Sequence, residues 1–172
     1  MKKCIIDIET TTFLPWEKGR IICIGHKDLQ TKKNHIIHDK EEKILVKKYI
    51  DFFEKEEYTN IIGYNVNYDI RFILSRLLKY KIPAPFFLKA KSIDIMAFLK
   101  GPNLRLNYNK PGTLNQWSKF VLDRTKHFHN KQIPDLFLIG RTEDILCYNK
   151  NDLELTFELY QRLQHISAGG LQ

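Results

Sequence analysis

Cysteine is scarce in this 172-residue sequence: Cys4, Cys23 and Cys147 are the only three, and no two have CxxC spacing. That excludes a disulfide-stapled scaffold or a zinc ribbon and predicts buried, reduced thiols, as suits a reducing compartment. Long apolar runs are missing as well. No stretch approaches the roughly 20 residues needed to cross a bilayer, and the chain passes from two lysines into a short strand with no secretory segment. The expectation is a cytoplasmic protein with no membrane partner, and repeat or low-complexity architectures are excluded because neither pattern occurs.

Acids are in the minority. Twenty Asp and Glu face 28 Lys and Arg, a formal charge of +8 with pI near 9.3. Such a balance favours an anionic partner such as nucleic acid, although a Lys-rich composition alone produces the same surplus. With 43% hydrophobic residues the chain can build one core, so a single domain over 1–166 is expected, followed by a small polar tail over 167–172.

The few acids are placed oddly. In "CIIDIETTT", residues 4–12, a strand would turn Ile6 and Ile8 to one face and Ile5, Asp7 and Glu9 to the other. Two neighbouring carboxylates beside an apolar run repel one another, so positive charge is expected between them. Either a basic side chain or a divalent cation supplies it, and hard oxygen donors suit Mg²⁺ or Mn²⁺.

Residues 3–9, 20–27 and 33–38 read as short strands joined by tight turns, hence antiparallel neighbours. A helical pattern over 41–58 leads into the buried strand "NIIGYN", and a crossover of that kind implies parallel pairing. Asp69 then opens a helix whose apolar positions Ile70, Ile73, Leu74, Leu77 and Leu78 recur at helical spacing. "SIDIMAFLK" fits a strand or a short helix, 101–112 has loop composition, and Thr113 is a helix cap for "TLNQWSKFVL".

In the closing helix, roughly 142–165, a rotation of about 100° per residue aligns Ile145, Tyr148, Asp152, Leu155, Thr156, Leu159 and Leu163, opposite Lys150, Glu154 and Gln161. An acid on the apolar stripe needs a partner. Asp7, Glu9, Asp69 and Asp152 are thus four inward-capable carboxylates from separate elements. Together they match the charge of two divalent ions about 4 Å apart, the clamp that serves phosphodiester displacement. Tyr148, one turn before Asp152, is placed to aim the attacking water.

"DIETTT", "GYNVNYD" and "YNKND", in this order, resemble the three motifs of the DEDD superfamily of 3′-5′ exonucleases. Over nearly the whole chain the sequence is most similar to the YprB-like or RNase_H_2 group, related to family B polymerase proofreading domains. The histidine branch needs a His five residues before the last Asp. Position 147 is Cys, whereas Tyr148 has the four-residue spacing of the tyrosine branch, DEDDy.

The resemblance implies an α/β, ribonuclease-H-like (DnaQ-like) fold with a mixed five-stranded sheet flanked by helices. It implies two Mg²⁺ or Mn²⁺ ions on Asp7, Glu9, Asp69 and Asp152, and Tyr148 positioning the water. It also implies substrate contacts from Thr10, Thr11, Phe13 and Asn65, on single-stranded DNA or RNA 3′ ends. Lys18, Arg20, Arg71, Arg105, Lys110 and Lys126 are candidates to track phosphates.

Taken singly, each residue has an ordinary explanation. Asp69 favours a helix N-terminus, Tyr148 suits a core, Asn65 suits a turn, and "FLPW" can pack inward. A structure-specific endonuclease on the same fold and a non-catalytic nucleic-acid-binding module remain the alternatives.

Overall fold

A computed structural model describes residues 1–100, 112–125 and 132–167. Arg105, Lys110, Lys126 and residues 168–172 of the expected tail lie outside the described residues. The sheet runs β3-β2-β1-β4-β5, with β1 Lys3–Thr10, β2 Ile21–Asp28, β3 Asn34–His38, β4 Asn60–Gly63 and β5 Lys91–Asp94. β1, β2 and β3 pair antiparallel, while β4 lies parallel to both β1 and β5. The mixed five-stranded sheet flanked by helices is therefore as expected.

One face is covered by α1 (Glu42–Glu56), α2 (Val66–Tyr80) and α3 (Pro85–Lys89), which bury Leu45, Phe53, Phe72, Ile73 and Phe87 against Ile6, Ile8 and Ile61. The other face carries α7 (Thr142–Ile166), whose Leu153 and Tyr160 pack on Ile5 and Ile62 and whose Ile145 and Tyr148 pack on Ile22 and Cys23. α5 (Leu114–Leu122) seals the outside of α7 through Leu114, Leu155 and Leu159. Thr113 caps α5 in a reciprocal box with Gln116, as its sequence predicts. α4 (Ile95–Leu99) and α6 (Ile133–Leu138) are short.

The structure differs from the sequence reading in three local respects. α2 starts at Val66, three residues before Asp69, because Asn65 adopts a left-handed conformation with φ 62° that turns the chain out of β4. "SIDIMAFLK" is both strand and helix: Asp94 ends β5, and its carboxylate caps α4 by accepting from the Met96 N–H. Cys147 is exposed, not buried, because Tyr148 rather than its neighbour occupies the inward stripe; Cys4 and Cys23 are buried as expected. Burial pushes both of those thiols well up, so they stay protonated.

β2 is buried along its whole length and includes His26, which is fully enclosed. Its ring lies 4.6 Å from Tyr58 and 4.9 Å from Phe52, and neither ring nitrogen has a hydrogen-bond partner among the described residues. Desolvation lowers its pKa from 6.5 to about 3. The unfolded chain binds this proton at the higher pH, so the contribution of neutral His26 is complete above 6.5 and is lost as pH falls toward 3. Near pH 5 the loss is about 2 kcal/mol. His26→Phe is expected to remove that share of acid sensitivity, read as urea midpoints of both proteins at neutral and mildly acidic pH; equal sensitivity in the variant would assign it elsewhere.

Candidate active site

The site forms where β1 outruns β4. Pairing between these strands ends at Ile5↔Ile62, whereas β1 continues along β2 to Thr10. The last turns of β1 therefore have one edge free of a strand, and α2 fills it: Asp69 Oδ1 accepts from the Ile8 N–H at 3.0 Å. Asp69 is only 5% exposed. Burial, then the charge of Asp7, pushes its carboxyl well up, and the Ile8 N–H offsets only part of that. Asp94 adds negative charge from β5. Its Oδ1 also accepts from the Asn65 N–H at 2.9 Å, holding the turn that launches α2.

On the opposite face Asp7 and Glu9 point at α7, as strand alternation predicts. Ligand oxygens of Asp7, Glu9 and Asp152 all lie within 4.8 Å of one another. Glu9 and Asp152 are buried, and Asp7 is half-buried. Asp69 is not one of the three. It reaches β1 from the α2 side through the uncovered edge, turned inward and close enough to feel the charge of Asp7. Carboxylate oxygens alone make a hard donor set that suits Mg²⁺ or Mn²⁺.

Tyr148 is 1% exposed, one helical turn before Asp152. Burial raises its phenol pKa far above the ordinary value, the charges of Asp152, Glu9 and Asp7 raise it further, and a hydrogen bond with Asp152 adds to the effect. The hydroxyl therefore stays protonated at every working pH.

Two residues that set this geometry escaped the sequence reading. Asn149 is fully buried, and its Nδ2 donates to Asp7 Oδ2 at 2.7 Å and to the Asp7 carbonyl at 3.1 Å, fixing the carboxylate's direction. Gly25, opposite Asp7 in the β1–β2 register, gives Asn149 its room. A Cβ there would lie 2.0 Å from Asn149 Oδ1 and 2.9 Å from Leu153 Cδ1. Gly25→Ala is expected to push α7 off the sheet, costing about 1–3 kcal/mol and weakening any divalent-ion binding. A denaturant midpoint and a Mn²⁺-dependent melting shift both like those of the parent would contradict this. The "YNKND" run was visible, but the pairing of Asn149 with a strand residue 142 positions away was not.

Of the predicted substrate contacts, Thr10 and Phe13 line a small cleft of about 60 Å³ together with Glu9, Thr12, Tyr68 and Pro134. Thr10 Oγ1 donates to the Thr12 carbonyl at 2.6 Å, and Thr11 Oγ1 accepts from the Arg20 N–H at 2.9 Å. Phe13 is 62% exposed, so it does not pack down as core. Asn65 is exposed at the start of α2. Lys18 and Arg71 are exposed, whereas Arg20 is occupied by the protein itself, donating to the Ile21, Lys40 and Asp39 carbonyls and covering Phe137. A larger cavity, about 660 Å³, lies among Lys3, Leu29, Phe157 and Tyr160 and touches none of the acids.

Among the described residues no helix is long and apolar enough to cross a membrane. Residues 4–164 match the RNase_H_2 family, described as RNase_H superfamily. A protein of Methanocaldococcus jannaschii named as uncharacterized is 33% identical over 173 residues, 95% of this chain and 96% of its own. The structure of the family B DNA polymerase from the hyperthermophilic archaeon Pyrobaculum calidifontis is similar with a TM-score of 0.76 at 13% identity, over 95% of this chain. This chain spans 24% of that polymerase, and the likeness is one of fold.

Proposed function

The chain belongs to the RNase_H_2 family of the RNase H superfamily, and from that premise we propose that it is a metal-dependent 3′-5′ exonuclease of the DEDD tyrosine type, releasing nucleoside 5′-monophosphates from single-stranded nucleic acid ends. The observation that carries this reading is the convergence of Asp7, Glu9 and Asp152 within 4.8 Å, beside the protonated Tyr148. Asp7, Glu9 and Asp152 would hold Mg²⁺ or Mn²⁺, with Asp69 completing a set for two ions. When bound, such ions supply a more acidic water and stabilise charge on the leaving oxygen.

The protein's own groups do the rest. Asn149 holds Asp7 in one orientation, and the Ile8 N–H does the same for Asp69. Tyr148 shares a hydrogen bond with Asp152, and its oxygen retains acceptor capacity for a water proton, which points a lone pair of that water toward phosphorus. Thr10 and Phe13, at the cleft beside Glu9, flank the terminal nucleotide, and Asn65, Thr11, Lys18 and Arg71 contact the strand behind it.

The test is incubation with 5′-labelled single-stranded DNA and RNA of matched sequence in Mn²⁺. Shortening from the 3′ end, arrest by EDTA and inertness of a circular substrate are expected. Cleavage of the circle would make the enzyme an endonuclease, and stable binding with no cleavage of any substrate would make it a binding module.

A further inference from the structure

The segment joining β1 to β2, residues 11–20, has no regular structure, yet it is held from α2 at several points. Arg76 is 3% exposed. Its Nη1 donates to the Pro15 carbonyl at 2.6 Å and its Nη2 to the Gly19 carbonyl at 2.7 Å. Its Nε donates to Glu42 Oε1, also at 2.6 Å. Glu42 Oε1 in turn accepts from the Ile21 N–H at 2.7 Å, and Glu42 Oε2 accepts from the Tyr80 hydroxyl. Two turns earlier on the same stripe of α2, the Tyr68 hydroxyl reaches the Thr12 carbonyl and Thr10 Oγ1, each at 3.2 Å. Phe72 lies between, with the Arg76 guanidinium over its ring.

The segment is also closed on itself. Thr11 and Arg20 bond through their backbones, and a Cβ at Gly19 would fall 1.8 Å from Thr12 Cγ2. Pro15 is buried beneath it, while Phe13 and Trp16 stand 62% and 72% exposed. A segment so restrained holds two large aromatic rings in solvent, with Phe13 in the cleft that Glu9 also lines, and such rings offer flat apolar surface to a partner.

We propose that Arg76 is a positioning residue for substrate: by binding the Pro15 and Gly19 carbonyls it fixes the segment that carries Phe13 and Trp16 relative to the acidic cluster, so that bases stacked there present the 3′-terminal phosphodiester to the acids. This rests on the exonuclease reading for its substrate. Arg76 acts through backbone carbonyls, and Trp16 joins the surface on which bases stack. Since α2 also carries Asp69, one helix sets both the acid and the platform.

The test compares the parent with Arg76→Met/Glu42→Leu, which replaces the buried ion pair by apolar groups and so keeps the interior free of an unpaired charge. Arg76→Lys is the second variant. Substrates are a single-stranded oligonucleotide and methyl p-nitrophenyl phosphate, a phosphodiester ester that engages the acids but carries no nucleobase to stack on the segment. In the double variant the oligonucleotide KM is expected to rise at least about tenfold, the loss of one stacked base, while ester turnover is retained; Arg76→Lys shifts KM the same way by less. In a Trp117→Phe background, anisotropy decay of Trp16 gains a fast component in both variants. An unchanged oligonucleotide KM, or oligonucleotide and ester turnover falling together, overturns the proposal. Should the double variant not fold, Arg76→Lys decides it by the same criteria. Failure of the exonuclease reading looks different: Asp7→Ala would hydrolyse the ester as fast as the parent, and Trp16 anisotropy would still decide whether Arg76 fixes the segment.

Discussion

Asp7→Ala is expected to abolish divalent-ion-dependent hydrolysis, a loss of at least about a thousandfold, since several kcal/mol of transition-state stabilisation depend on the ions it would hold. The fold should survive. Asp7 is half-buried at the end of β1, and its removal relieves Asp69 of the charge that, after burial, does most to raise its carboxyl pKa. Of the two hydrogen bonds from Asn149 to Asp7 only the one to the carboxylate is lost, because the other goes to the backbone carbonyl, which alanine keeps. Mn²⁺ at a hundred times its dissociation constant stabilises a binding-competent chain by about 2.7 kcal/mol. Melting of the parent should therefore rise with Mn²⁺ and that of Asp7→Ala should not. Asp152→Asn is expected to behave alike. Retained activity in either purified variant would remove that acid from the chemistry.

For Tyr148→Phe the expected result is a loss of about a hundredfold in kcat with KM nearly unchanged, the size of effect that misplacing a nucleophile by an ångström produces. The ring is buried against Ile22 and Cys23, and phenylalanine preserves that packing. What disappears is a hydroxyl kept protonated by burial and by the charges of Asp152, Glu9 and Asp7, together with its hydrogen bond to Asp152. Ion binding should persist, because no ligand is removed, so a Mn²⁺-dependent rise in melting temperature accompanies the slow turnover. An unchanged rate would leave Tyr148 as a core residue. Loss of the Mn²⁺ response would show that its role is to hold Asp152.

Much of this site was legible in the sequence because it depends on periodicity. Alternation in β1 sets Asp7 and Glu9 on one face, and the 3.6-residue repeat of α7 sets Tyr148 and Asp152 on its inward stripe, where both are buried. The same repeat missed Asn149, Leu153 and Tyr160, since α7 is covered on more than one side, by the sheet and by α5, and its buried surface is wider than one stripe. Gly25 was illegible for a different reason: the need for a missing side chain appears only where two elements approach.

Arg20 shows the limit of reading charge as ligand affinity. In sequence it is a free cation near the first motif, whereas in the fold three carbonyls take up its guanidinium. Asp94 was hidden in a segment that fitted strand or helix equally, and it ends the one while capping the other.

Titrating the full chain with Mn²⁺ and recording its electron paramagnetic resonance spectrum tests the site most directly. Two ions per chain with the broadened spectrum of an exchange-coupled pair, reduced to uncoupled Mn²⁺ in Asp7→Ala, is the predicted result. A parent chain that binds no Mn²⁺, or binds it identically after Asp7→Ala, would contradict a metal centre built on these carboxylates.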